Sequence, residues 1–313
     1  MDILSALVII IGLIVFEIVN SIDNAIVNAH VLKTMNQRWR KIFLFWGLLI
    51  AVVVVRGILP FLVVWLTVPG IGFVEAFQAM FSGSPYVAAA IDAGKPLILM
   101  GAGVFLFLLY LHWLFLEEKQ PFFVTDKFIK PNYGIWFFAC TALLLVGLLY
   151  MARQNPIMML SASIGNAAFF ILYGFREQAE KQSEALKEKA AEMSNFSKFL
   201  YLEVLDASFS FDGVLGAFAF TTAVPLILIG NGIGALIVRE LTIRGVDRVA
   251  SYKFLKNGAM TSIGFLGLII ISESFGLKFP GFLPTAITLL FVGVAFFASR
   301  RLNQKENNLS ISL

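Results

Sequence analysis

The chain has 313 residues, of which 59% are hydrophobic and only 14% charged, with a formal net charge of +4. Its mean hydropathy of +0.85 lies well outside the range of soluble globular domains, so composition points to a polytopic membrane protein in a lipid bilayer. A single cysteine, Cys140, excludes an intramolecular disulfide and a Cys-cluster metal site, and the two histidines, His30 and His112, stand far apart.

The first apolar stretch, 3 to 32, follows Asp2 rather than a basic leader and carries Glu17 and Asp23, so it is expected to remain as a span and not to be cleaved as a signal peptide. Glu17, Asn20, Ser21, Asp23 and Asn24 form a first acidic motif at 17–24, with Asn28 a turn further on. At about 100° per residue Glu17, Asn20, Asn24 and Asn28 share one arc, with Asp23 beside it, so one helix face is lined with oxygen donors. A carboxylate at bilayer depth costs roughly 2.5–3.5 kcal/mol, which marks such acids as functional.

The second span is expected over 42 to 66. Its Arg56 is read as the only Arg deep in a span and as a candidate counter-ion for the acids. Residues 69 to 94 place Phe73, Phe77, Met80 and Phe81 at helical spacing, which predicts an amphipathic helix on the outer surface. Spans three to five follow at 96 to 116, 134 to 152 and 156 to 175. Residues 176 to 198 are rich in Ala, Glu and Lys, with Glu177 and Lys181 at i,i+4. This reads as a solvated cytoplasmic helical linker, a docking surface for a protein partner, and the divider between an N-terminal half (1–175) and a C-terminal half (199–313).

Spans six to nine are expected at 199 to 221, 224 to 240, 256 to 273 and 281 to 299. The sixth holds a second acidic motif at 203–213, with Glu203, Asp206, Ser210 and Asp212. Asp212 points about 120° from Asp206 on an ideal helix, and a break at Asp212-Gly213 would bring it round. Gly101, Gly103, Gly232 and Gly234 read as positions of close helix contact.

Positive charge sets the orientation, because Lys and Arg in short loops stay cytoplasmic. Lys33 to Lys41 follow span one, Lys119 to Lys130 span three, Arg176 to Lys198 span five, Arg239 to Lys256 span seven, and Arg300 to Lys305 span nine. The N-terminus is therefore expected outside and the C-terminus in the cytoplasm, and the charge needs no nucleic-acid partner. The two acidic motifs then run antiparallel, as in an inverted-topology repeat with its site near the midplane. The expected fold is an all-α bundle of about nine spans in two inverted halves.

Carboxylates, carboxamides and hydroxyls are hard donors, suited to Mn²⁺, Ca²⁺ or Mg²⁺ as a transported substrate, with no resident cofactor. Protonation of the acids on ion release would give cation/proton exchange. Read as uncompensated charges, Asp23 and Asp206 should each be replaceable by Asn without loss of stability. The absence of a GxGD segment argues against an intramembrane aspartyl protease, and no enzyme activity is expected.

Phe16 to Ala29 (FEIVNSIDNAIVNA) and Leu202 to Phe220 (LEVLDASFSFDGVLGAFAF) resemble the two signature regions of the TerC family of integral membrane proteins. The closer resemblance is to an uncharacterised bacterial branch. The resemblance implies a bacterial inner-membrane protein of an inverted-repeat exporter group, linked to tellurium-compound resistance and to manganese efflux or delivery. It also implies Glu17, Asp23, Asn24, Asp206 and Asp212 as metal ligands, with Asn20, Ser21, Asn28, Glu203 and Ser210 along the substrate pathway. Gly213 departs from the family, where a small polar residue is commoner. The leading expectation is a divalent-metal exporter, most of all for Mn²⁺. The alternative is a membrane factor that delivers metal, or confers tellurium resistance, through partner proteins.

Overall fold

The computed structural model describes residues 2–47, 50, 57–58, 61–62, 65, 72–82, 85–128, 134–189, 193–244 and 251–311, and every regular element among them is helical. In chain order these are α1 (Ile3–Asn20), α2 (Ile22–Lys33), α3 (Gln37–Ile42) leading into a π-helical turn (Phe43–Gly47), α4 (Phe73–Ser82), α5 (Pro85–Leu116) and α6 (Val124–Phe128). Then come α7 (Gly134–Met151), α8 (Pro156–Lys189), α9 (Asn195–Ala217), α10 (Val224–Arg244), α11 (Leu255–Ser274) and α12 (Leu283–Ile311). Seven of them, α1, α5, α7, α8, α10, α11 and α12, contain segments long and apolar enough to cross a membrane. The architecture is thus the all-α polytopic bundle expected from composition.

These seven coincide with seven of the nine expected spans. Most of the second span lies outside the described residues, and Arg56 with it. The sixth is α9, which carries Lys198, Glu203, Asp206 and Asp212 along its length.

Two local expectations are corrected. The first span is not one helix: α1 ends at Asn20 and α2 begins at Ile22, with Ser21 between them at φ −96°, ψ 4°. The Ser21 hydroxyl donates to Glu17 Oε1 at 2.8 Å, while its N–H still bonds Glu17 O at 3.0 Å and its carbonyl accepts from Ala25 N–H at 2.9 Å. The result is a one-residue kink where a serine side chain bonds one turn back. A break at Asp212-Gly213, which the sequence left open, does not occur, because α9 runs unbroken from Asn195 to Ala217.

The centre of the bundle is the antiparallel pair α5 and α11, the two most buried spans. Glycines let their backbones meet: a Cβ on Gly103 would stand 2.7 Å from the Ile271 side chain, and one on Gly267 2.9 Å from Phe107 N. Met100, Phe105, Trp113 and Ile263 are among the fully buried side chains of the core around this pair. Around it, α8 packs on α5 and α12 on α11, while α7 sits at the edge with Ile135, Phe138 and Leu143 exposed as a lipid-facing surface should be. Phe73 and Phe77 of α4 meet the Phe61 ring edge-on.

Cross-helix ties join ends that the charge pattern puts on one side. At the basic ends Lys198 donates to Thr34 O at 3.1 Å, Lys256 pairs with Glu117 at 2.6 Å, and Phe254 N–H donates to Ser299 Oγ at 2.9 Å. At the opposite ends Thr285 donates to Val8 O at 3.2 Å and Ser161 to Leu97 O.

Candidate functional site

The site begins with close approach of backbones. α1 runs antiparallel to α9, with Phe16 against Gly216 and Glu17 against Gly213, and parallel to α10, with Leu13 against Gly230 and Glu17 against Gly234. A Cβ at position 213 would lie 2.7 Å from Glu17 Oε2, and one at 234 would lie 2.6 Å from Glu17 Cβ. Glycine at 213 therefore serves contact, not helix breakage. Glu17 is 1% exposed in this cradle.

About two turns further towards the basic end lies Asp206, as Gly213 and Asp206 are separated on α9. Asn24 and Asn28, at i,i+4 on α2, both donate their Nδ2 groups to Asp206 Oδ1, the second at 3.0 Å. Arg239 of α10 donates Nη2 to Asp206 Oδ2 at 3.1 Å. The same guanidinium bonds Phe43 O and lies 4.4 Å from the centre of the Phe43 ring. Glu17, Ser21, Asn24, Asn28, Asp206 and Arg239 share the wall of a cavity of about 30 Å³, room for about one water or a small ion. With their amide nitrogens committed to Asp206, the oxygens of Asn24 and Asn28 are buried with no hydrogen-bond partner. Two such acceptors beside two carboxylates form an oxygen-rich wall suited to a cation.

The residues named from sequence divide clearly. Glu17, Ser21, Asn24, Asn28 and Asp206 converge on the cavity. Asn20 turns towards a separate crevice with Phe16, Val19, Ser262 and Thr288. Ser210 donates back to Asp206 O at 2.6 Å, and Asp212 is buried on a face outside the cavity wall. Glu203 faces the π-helical turn, where a Cβ on Gly47 would meet its carboxylate; neither carboxylate oxygen has a hydrogen-bond partner. The Asp23 side chain and Arg56 lie outside the described residues. Among the described residues no three His, Cys, Asp or Glu side chains gather at one point, so the donor set mixes two carboxylates with amides and a hydroxyl.

Arg239 is the residue that sequence reasoning misplaced. The charge pattern puts it with the loop charges after span seven, whereas it is 8% exposed inside α10 and is a counter-ion of Asp206. A signal existed, since Asn231, Ala235 and Arg239 succeed one another at i,i+4 on one face. Its pairing also reverses the stability expectation for Asp206→Asn, because the carboxylate is compensated.

Fold and site together describe a polytopic membrane protein with a buried charged cluster between antiparallel helices. The chain belongs to the family described as Protein of unknown function (DUF475), whose model matches residues 22–306. It is also similar to the uncharacterized membrane protein YceF of Bacillus subtilis (strain 168), at 26% identity over 107 residues; that stretch is 33% of this chain and 42% of the relative. No solved structure matches the chain. The TerC resemblance rests on the two motifs and on the expected nine-span layout.

Proposed function

We propose that the chain is a transporter, not an enzyme, exporting a divalent metal cation by alternating access around the two acidic motifs. It would sit in a bacterial inner membrane with its N-terminus outside, in the manner of the TerC family. Mn²⁺ is the first candidate, with Ca²⁺ and Mg²⁺ behind it, because the donors are oxygens. The observation that carries this reading is the cavity shared by Glu17 and Asp206, into whose wall Asn24 and Asn28 bring unpartnered oxygens. A cation there would be balanced by the acids, and protons replacing it on departure would couple the cycle to pH.

The two-half organisation is supported by helix pairing. α5 and α11, the third span of each half, run antiparallel and meet at the centre, as partners across a pseudo-two-fold axis would. A second reading, metal delivery or tellurium resistance through partner proteins, is favoured by the unbroken run of α8 into the charged 176–189 segment. Metal flux into vesicles containing only this protein decides between them. Transport of Mn²⁺ that disappears in Glu17→Gln and in Asp206→Asn is the expected result, and a flux unchanged in both variants overturns the reading.

A further inference from the structure

We propose that Arg239 is the resident cation of the site, which an incoming metal ion must displace from Asp206, so that this arginine sets the threshold for ion binding. The inference rests on the transport reading above. Its geometry is a saturated carboxylate: Oδ1 accepts from Asn24 and Asn28, and Oδ2 accepts from Arg239 at 3.1 Å. A metal cannot share Oδ2 closely with a guanidinium, because two positive charges on one oxygen repel each other at short range in a poorly screened setting.

The arginine can leave Asp206 without leaving the bundle. Its Nη1 bond to Phe43 O and its stacking on the Phe43 ring depend on the π-helical turn, not on Asp206. The other end of that turn, Gly47, touches Glu203, which lies one helical turn from Asp206 on α9 and whose carboxylate oxygens have no hydrogen-bond partner. Glu203 thus offers a second carboxylate within the same small region. Exchange of Arg239 from Asp206 to Glu203 opens the first acid to the metal and keeps the guanidinium paired. π-Helical turns recur at functional sites, and here one links both partners of the exchange.

The test is Mn²⁺ binding by the purified full-length protein, read by calorimetry and by metal-dependent thermal shift. Arg239→Gln should bind Mn²⁺ at least tenfold more tightly than wild type, and Glu203→Gln several-fold more weakly. Arg239→Lys, whose point charge cannot grip Asp206 and Phe43 O together, should bind more tightly than wild type and keeps the test available if the Gln variant does not fold. Equal or weaker binding in Arg239→Gln, or in Arg239→Lys where only that variant folds, removes this proposal and leaves the transport reading standing. No response to Mn²⁺, Mg²⁺ or Ca²⁺ by any of the proteins, wild type included, removes both.

Discussion

Glu17 and Asp206 come from matched motifs, yet the fold holds them by different means. Glu17 is wedged between Gly213 and Gly234 and bonded by Ser21, so the space around it is set by missing side chains. Gly234→Ala, whose Cβ would meet Glu17 Cβ at 2.6 Å, should lower stability by about 1–3 kcal/mol through overpacking, whereas Gly293→Ala, with nothing within 4 Å of its Cβ, should not. Thermal unfolding of the purified variants checks this. Asp206 is instead held by donors. Asp206→Asn takes from Arg239 the acid it is paired with and should lower stability, but by less than the about 3–5 kcal/mol of a stranded buried charge, because Glu203 remains to take up the guanidinium; the double variant Asp206→Asn, Arg239→Gln should recover part of that loss in the same assay. The acids were legible in the sequence because charge is conspicuous in an apolar run. Arg239 was not, because a site arginine near the end of a span has the same sequence appearance as one that fixes topology, and only packing against Phe43 and Asp206 distinguishes them.

Helix extents were legible for a different reason: apolar length against bilayer thickness leaves little freedom. The expected 96 to 116, 156 to 175 and 256 to 273 meet Gly94–Leu116, Pro156–Gly174 and Leu255–Ser274. The kink in the first span escaped, since it depends on one hydroxyl reaching one carboxylate a turn away. The ends of α5 and α11 also carry a tie that periodicity does not reveal. Just past α5, burial raises the Glu117 pKa, but hydrogen bonding to His112 and the nearby Lys256 ammonium more than reverse this and bring it to about 2. A carboxyl lowered from its ordinary 4.5 stabilises the fold fully above pH about 4.5 and loses that contribution as pH falls towards about 2. Wild-type melting temperature should therefore fall through this window more steeply than that of Glu117→Gln, measured side by side across pH in detergent.

At the scale of the whole molecule the charge pattern and the cross-helix ties agree on which helix ends lie together. Reporter fusions after Arg153 and after Arg301 should report opposite compartments, with Arg153 outside. A shared compartment would contradict the alternation. Three helices, α5, α8 and α12, outgrow this framework, and α8 is the longest of them. With 34 residues, α8 is about 50 Å long at the usual rise, whereas the hydrocarbon layer is only about 30 Å thick. Its charged end, on the same side as the C-terminal end of α12, therefore stands well clear of a detergent belt. That projecting rod is a fiducial by which electron-microscope particle images of the micelle-bound protein can be oriented.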